Sequence, residues 1–412
     1  MNVLSRVLGV LGKKVVEGKL LVYIRENLDE LLARVGRLVL GMRTEVVPNK
    51  IFFHTQEDRY CCNIKYICEE FRRRNLDVDM VWRVSKGRRG SIPEDCRIVT
   101  GGTYQYFKEI LSSKYVFSNS VLYVKKGFRL KKEQVLFQTW HGSLGIKRFG
   151  KKDYRGGVHW VLGAIATGKM TDYCITNSSF VSGSLRNTYW PNTPMLEYGH
   201  PRNDIMFDNY AEKRREVKVA FLEAYNLPED TKFLMYGPTF RDSKDFSCYD
   251  IDVQGSLDAV RQRFGGEWVL LLRYHSALRA VYKSRNQIKK GDSVIDVTDY
   301  DDMQELMTVA DIAITDYSSW IYDFMLQRRP GFIFATDIEL YNNERGFCYP
   351  LETTPFPIAV NNEELIRNIL EFDNEDYLRK LEAFLEEKGC VEDGHASERV
   401  VDKVLELMAQ AK

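Results

Sequence analysis

The sequence predicts an α/β protein in which two Rossmann-like domains face a cleft, with an amphipathic helical segment at the N-terminus. Three observations carry that expectation. The chain has 412 residues, beyond the size at which one hydrophobic core usually stops growing, so two domains are expected. From residue 50 onward, short apolar β-rich runs alternate with helical patterns, as in a parallel sheet covered by helices. The alternation occurs as two series, separated by a charged, helix-prone passage that follows "GHPRND" at 199–204.

Residues 1–45 place Leu4, Val7, Leu8, Leu11 and Val15, then Ile24, Leu28, Leu31, Leu32 and Val35, at helical spacing. Within residues 1–25 the basic side chains Arg6, Lys13, Lys14, Lys19 and Arg25 face Glu17 alone, which suits an anionic membrane surface. Packing against the rest of the chain, or against a second subunit in a homo-oligomer, is the other reading. The first series, "KIFFHT", "VDMVWRV", "RIVTGG", "KYVFSNS", "QVLFQTW" and "YCITNS", defines an N-terminal domain over 46–210. The second, "KFLMYGPTF", "EWVLLLRYH", "SVIDVTD", "DIAITDYSS" and "GFIFATD", defines a C-terminal domain over 211–412. Past Asn362 come charged amphipathic helices, which either close the second domain or cross back to the first.

Composition narrows the function classes. Apolar residues make up 44% and charged residues 28%, an ordinary globular balance. A formal net charge of +1 argues against a wholly basic nucleic-acid binder. The eight cysteines form no CxxC pair and no zinc-spaced cluster, so reduced structural thiols and no metal site are expected. No apolar stretch is long enough to span a bilayer and no signal-peptide pattern opens the chain, so it is expected in the cytoplasm, peripheral on the inner membrane face.

Four strand-like runs end in polar signatures: "VLFQTW" in His141-Gly142, "FLMYG" in Pro238-Thr239-Phe240-Arg241, "WVLLL" in Arg273-Tyr274-His275, and "IAIT" in Asp316-Tyr317-Ser318-Ser319. Ligands of such sheets sit beyond the carboxyl ends of the strands, so these endings are candidates for one site. Ser318 or Ser319 is a good N-cap for the following "WIYDFMLQR" helix, whose free N–H groups also suit a phosphate. Ten basic residues between 125 and 155, against Glu133 and Asp153, point to an anionic partner rather than to nucleic acid, whose usual motifs are missing. "GAIATGKM" at 163–170 carries Met170 where a P-loop needs a hydroxyl. His54 and His159 read as structural, and His395 as the start of a helix.

In order and character, "QTWHG", "GHPRND", "YGPTFRD", "RYH", "DVTDYDDMQELMTVADIAITDYSSWIYDF" and "ERGFCYP" resemble the CDP-glycerol:poly(glycerophosphate) glycerophosphotransferase family. The block from Asp296 to Phe324 is the most specific part of the resemblance. It implies a glycosyltransferase-B-like fold that moves a polyol phosphate from CDP-glycerol or CDP-ribitol to a hydroxyl of a lipid-linked or polymeric acceptor, releasing CMP. It also implies roles: His141 as base, His275 as second essential histidine near the donor pyrophosphate with Arg273 before it, and Ser318, Ser319 and Asp316 at the donor phosphate. Gly142, Arg202, Asp204, Thr239 and Arg241 match the family's supporting loops.

An alcohol is barely ionised at neutral pH, so its attack on phosphorus needs a base, and an imidazole titrates in the useful range. Fixed donors can stabilise the leaving CMP without a metal or other cofactor, and little dependence on magnesium is expected. A sugar-nucleotide glycosyltransferase of the same fold and a non-enzymatic membrane scaffold for anionic polymer are the alternatives.

Overall fold

The computed structural model describes residues 39–55, 59–85, 89–122, 129–145, 157–239, 241, 249–274, 293–344 and 346–410, with side chains of the 157–168 helix described from 161 onward. The amphipathic segment through residue 38, His275, the side chain of His159 and most of the 125–155 basic run lie outside these residues.

Two wholly parallel sheets organise the chain. The first has the order β3-β2-β1-β4-β5-β6-β7, from β1 (Val47–His54), β2 (Asp79–Val84), β3 (Arg97–Thr100), β4 (Ser113–Ser118), β5 (Val135–Gln138), β6 (Tyr173–Thr176) and β7 (Met195–Glu197). The second has the order β10-β9-β8-β11-β12-β13, from β8 (Lys232–Tyr236), β9 (Trp268–Leu272), β10 (Val294–Asp296), β11 (Ile312–Thr315), β12 (Gly331–Phe334) and β13 (Ile358–Ala359). All eleven strands read from the sequence are present; β7 and β13 are too short to show a pattern and were missed. This is the expected glycosyltransferase-B-like pair of Rossmann-like halves.

Helices cover both faces of the first sheet, so its central strands are apolar on both sides. Ile51 and Phe53 of β1 join Ile64, Ile67 and Phe71 of helix α1 (Cys62–Arg73), while Phe52 between them joins Ile110 and Leu111 of α2 (Tyr104–Ser112) on the other face. The next helices are α3 (Gly157–Gly168), α4 (Ser179–Thr188), α5 (Ala211–Tyr225), α6 (Val253–Phe264), α7 (Met303–Val309), α8 (Trp320–Phe324) and α9 (Ile338–Glu344). The near-P-loop stretch runs through α3 into the turn after it, not from a strand into a loop.

The closing helices resolve the alternative left by the sequence by doing both. Leu365 and Ile369 of α10 (Asn362–Leu370) and Tyr377, Leu381 and Phe384 of α11 (Asn374–Glu387) pack with Phe332 and Ile333 of the second sheet. Val400, Val401 and Val404 of α12 (Ala396–Gln410) cross back to pack against α1. A second tie between the halves runs from Lys65 Nζ to Asp302 Oδ2 (2.7 Å) and Glu305 Oε1 (2.5 Å).

In each sheet the chain builds outward from the first strand and then returns to its other side, so the order reverses between β1 and β4 and between β8 and β11. A crevice opens at the carboxyl ends of strands at such a reversal.

Candidate active site

His141 follows β5, the neighbour of β4, and its side chain is exposed. Its Nδ1 lies 2.7 Å from the carbonyl oxygen of Asn119, just past β4. A carbonyl only accepts, so Nδ1 carries the hydrogen and the lone pair falls on Nε2. The imidazole stacks on Trp140 at 4.7 Å between centroids. Trp140 itself has φ +52°, a left-handed conformation costly for a bulky residue. Its N–H donates to Gln138 Oε1 (2.9 Å), its carbonyl accepts from Thr139 Oγ1 (3.2 Å) and Asn63 Nδ2 (3.4 Å), and its ring meets Trp190 edge-on. A Cβ on Gly142 would stand 2.9 Å from the Trp140 indole nitrogen, so a side chain there would press on the ring that supports His141.

Beneath His141 lies the turn Pro201–Met206, buried throughout. Arg202 Nη1 donates to the His141 carbonyl at 2.8 Å, and Nη2 pairs with Asp323 of α8 at 2.9 Å. Asn203 Nδ2 donates to Asp323 Oδ1 (3.1 Å) and to Glu392 Oε1 (2.7 Å). Asp204 turns the other way and accepts the N–H groups of Ala396 (2.9 Å) and Ser397 (2.7 Å), capping α12. Burial pushes the Asp204 carboxyl up to about 6 despite those bonds. Burial also pushes Glu392 up to about 8 and, with Arg202 nearby, holds His200 neutral well below the usual imidazole range.

At the second reversal, Asp316 Oδ1 accepts from the N–H groups of Thr239 (2.8 Å) and Tyr317. Arg241 Nη2 pairs with Asp316 Oδ2 at 2.8 Å, and its Nε and Nη2 clasp Asp337 at 2.8 and 3.0 Å. The guanidinium lies 4.8 Å from the ring centroids of both Tyr317 and Tyr341, and Tyr317 donates its O–H to Asp337. Thr239, Arg241 and Asp316 thus form one braced unit behind the Ser318-Ser319 turn.

That turn differs from the expectation in one respect. Ser319 occupies the N-cap of α8, but its side chain makes no capping bond, and α8 runs only five residues before a 3-10 turn at Met325–Gln327. Both serines are half-buried. Arg273 directs Nη1 to the carbonyls of Val297 (3.0 Å) and Tyr300 (2.8 Å), holding the segment after β10. Among the remaining histidines, His54 is buried beside Ser118 Oγ (3.2 Å), held at about 3 by burial and the Arg83 charge. His395 immediately precedes α12. Among the described residues no group of three or more His, Cys, Asp or Glu side chains is placed to hold a metal ion.

The CDP-Glycerol:Poly(glycerophosphate) glycerophosphotransferase family matches residues 38–406. The chain belongs to that family. Within it, the chain is 28% identical over 391 residues to a teichoic acid poly(glycerol phosphate) polymerase of Staphylococcus epidermidis, covering 87% of this chain and 51% of that protein. It therefore spans about half the length of that relative. A teichoic acid ribitol-phosphate primase of Bacillus spizizenii is 31% identical over 278 residues, 66% of this chain and 69% of that one. Among solved structures, a variant of the wall teichoic acid polymerase TagF superposes with a TM-score of 0.79 at 25% identity, covering 97% of this chain and 98% of that one. Another TagF variant was soaked with CDPG and superposes with a TM-score of 0.78 at 25% identity, covering 94% and 98%.

The expected residues divide by location. His141, Gly142 and Arg202 form one cluster in the first domain, with Asp204 behind it, and Thr239, Arg241, Asp316, Ser318 and Ser319 form another in the second. Sequence reasoning missed Asn63, Asn203, Asp323, Asp337 and Glu392. Asp337 had a readable signal, since it closes the strand-like run "GFIFATD" as the four chosen endings close theirs. Asp323 and Glu392 had none, because their partners lie far away in the chain.

Proposed function

We propose that this chain transfers a polyol phosphate, glycerol phosphate or ribitol phosphate, from a CDP-polyol to a hydroxyl of a lipid-linked or polymeric acceptor, releasing CMP. The observation that carries this reading is the 2.7 Å contact of His141 Nδ1 with the Asn119 carbonyl, which makes Nε2 the basic nitrogen of an exposed ring just past the end of β5. The acceptor hydroxyl gives its proton to that nitrogen as its oxygen attacks the phosphorus bearing the polyol. The bond from that phosphorus to the CMP oxygen breaks, and negative charge grows on the leaving phosphate. The N–H groups and hydroxyls of Ser318 and Ser319, with Arg273 and His275, receive that charge, and Asp316 with Arg241 and Thr239 holds their turn. The protein works at the inner membrane face, where the basic residues of 125–155 and the N-terminal segment meet anionic lipid or acceptor. No helix among the described residues is long and apolar enough to cross a membrane.

The test is incubation with CDP-glycerol, CDP-ribitol and a panel of sugar nucleotides in the presence of a lipid-linked polyol-phosphate acceptor. Release of CMP from one or both CDP-polyols is expected, with loss of turnover in His141→Ala. Turnover of a sugar nucleotide instead would reassign the chain to a glycosyltransferase, and full activity in His141→Ala would remove the base.

A further inference from the structure

Arg202 and Asp323 meet where the two domains touch. The arginine is 5% exposed and the aspartate 1%, and charges so deeply buried persist only when paired and hydrogen-bonded. Asp323 accepts from Arg202 Nη2 on one oxygen and from Asn203 Nδ2 on the other. Arg202 spends its other terminal nitrogen on the His141 carbonyl. The Arg202 backbone N–H donates to Asn63 Oδ1 (3.2 Å), whose amide in turn holds the carbonyls of Thr139 (3.1 Å) and Trp140. A carboxylate of the second domain therefore anchors, from behind, the turn that presents His141. That carboxylate sits in the same short helix that Ser319 begins.

We propose that Arg202 and Asp323 are positioning residues that set the His141 imidazole against the Ser318-Ser319 turn across the domain boundary. The proposal rests on the reading of His141 as base and adds how its distance from the donor is fixed. Neither side chain needs to touch substrate. A fork-shaped guanidinium suits the task because its two terminal nitrogens hold the carboxylate and the carbonyl separately in a rigid geometry, whereas an ammonium offers one nitrogen on a flexible stem. Misplacing a reacting group by an ångström costs about 100-fold in rate, so a loosened anchor should show in turnover before it shows in donor binding.

The experiment compares Asp323→Asn, Arg202→Lys and the double variant. Arg202→Lys keeps a cation opposite Asp323, and so supports the fold if Asp323→Asn does not. Each single variant is expected to lose about 100-fold in kcat with KM for CDP-glycerol within about threefold of wild type, and the double to lose no more than the worse single. Lys65→Met, which breaks another buried tie between the domains, should lower thermal stability but leave kcat within about threefold. Losses that multiply in the double variant, or a loss of stability with kcat retained, would overturn the proposal.

Long-range nitrogen–proton NMR of histidine-labelled protein, with His141 assigned by its loss in His141→Ala, reads the ring without turnover. The hydrogen should sit on Nδ1 in wild type and Lys65→Met and be shared between the nitrogens in Asp323→Asn and Arg202→Lys. The same tautomer in all of them would overturn the positioning role. A wild-type ring without its hydrogen on Nδ1 would instead remove the base reading.

Discussion

Replacing Glu392 by glutamine should make the stability curves of variant and wild type cross between pH 5 and 8. The Glu392 side chain is 1% exposed, in the segment that carries the chain from α11 back to the first domain. Its Oε1 accepts from Asn203 Nδ2 (2.7 Å) and its Oε2 from the His200 N–H (3.0 Å). Burial raises the carboxyl from 4.5 to about 8, the nearby Asp323 charge adds to the rise, and the hydrogen bonds oppose it. A rise of that size corresponds to about 5 kcal/mol. Because the folded value lies above the unfolded one, this contribution is fully present below pH 4.5 and is lost as pH climbs through about 8. Neighbours bend the wild-type curve. Asp204, raised from 3.8 to about 6, acts in the same sense up to that pH. His200 and His54, both lowered by burial, weaken the fold as pH falls through the ordinary imidazole range. The difference between variant and wild type cancels those terms.

Glutamine must aim its own N–H group at one of the two donors, which costs about 1–3 kcal/mol at every pH. The variant is therefore less stable near pH 5 and more stable near pH 8.5, as read from urea unfolding midpoints across that range. Parallel curves over the whole interval would refute the protonated, buried carboxyl.

Other outcomes follow from the same geometry. Arg241→Met leaves Asp316, itself 1% exposed, and Asp337 without their cation. Calorimetry should show about 3–5 kcal/mol of lost stability, with weakened CDP-glycerol binding by titration. Asp204→Asn keeps one acceptor for the two N–H groups that open α12. It should cost about 1–2 kcal/mol and speed amide exchange in α12 more than in the second sheet. Gly168→Ala puts a Cβ 2.0 Å from the Trp190 ring, which its indole N–H to the Ala164 carbonyl (2.9 Å) keeps in place; melting should reveal a loss of about 1–3 kcal/mol. CMP release should survive a chelator, and activity abolished by chelation and restored by magnesium would refute metal-free transfer.

What the sequence by itself determined is local in origin. An apolar run such as Lys50 to Phe53 reads as a buried strand because its side-chain pattern is complete within a few residues. The polar residue that ends such a run must lie at the sheet's carboxyl edge, so His141, Asp316 and the Ser318-Ser319 turn were legible along with the fold. Tertiary structure alone decided what stands behind them. Asp204 caps a helix that begins 192 residues later, and Asp323 reaches the His141 turn only through Arg202 from the other domain. Neither leaves a periodic trace, because a buried charge is satisfied by whatever donor the fold brings to it, and chain separation sets no limit on that partner. The sequence therefore placed the candidate residues at the strand ends, while the packing of one domain on the other determined how they are held.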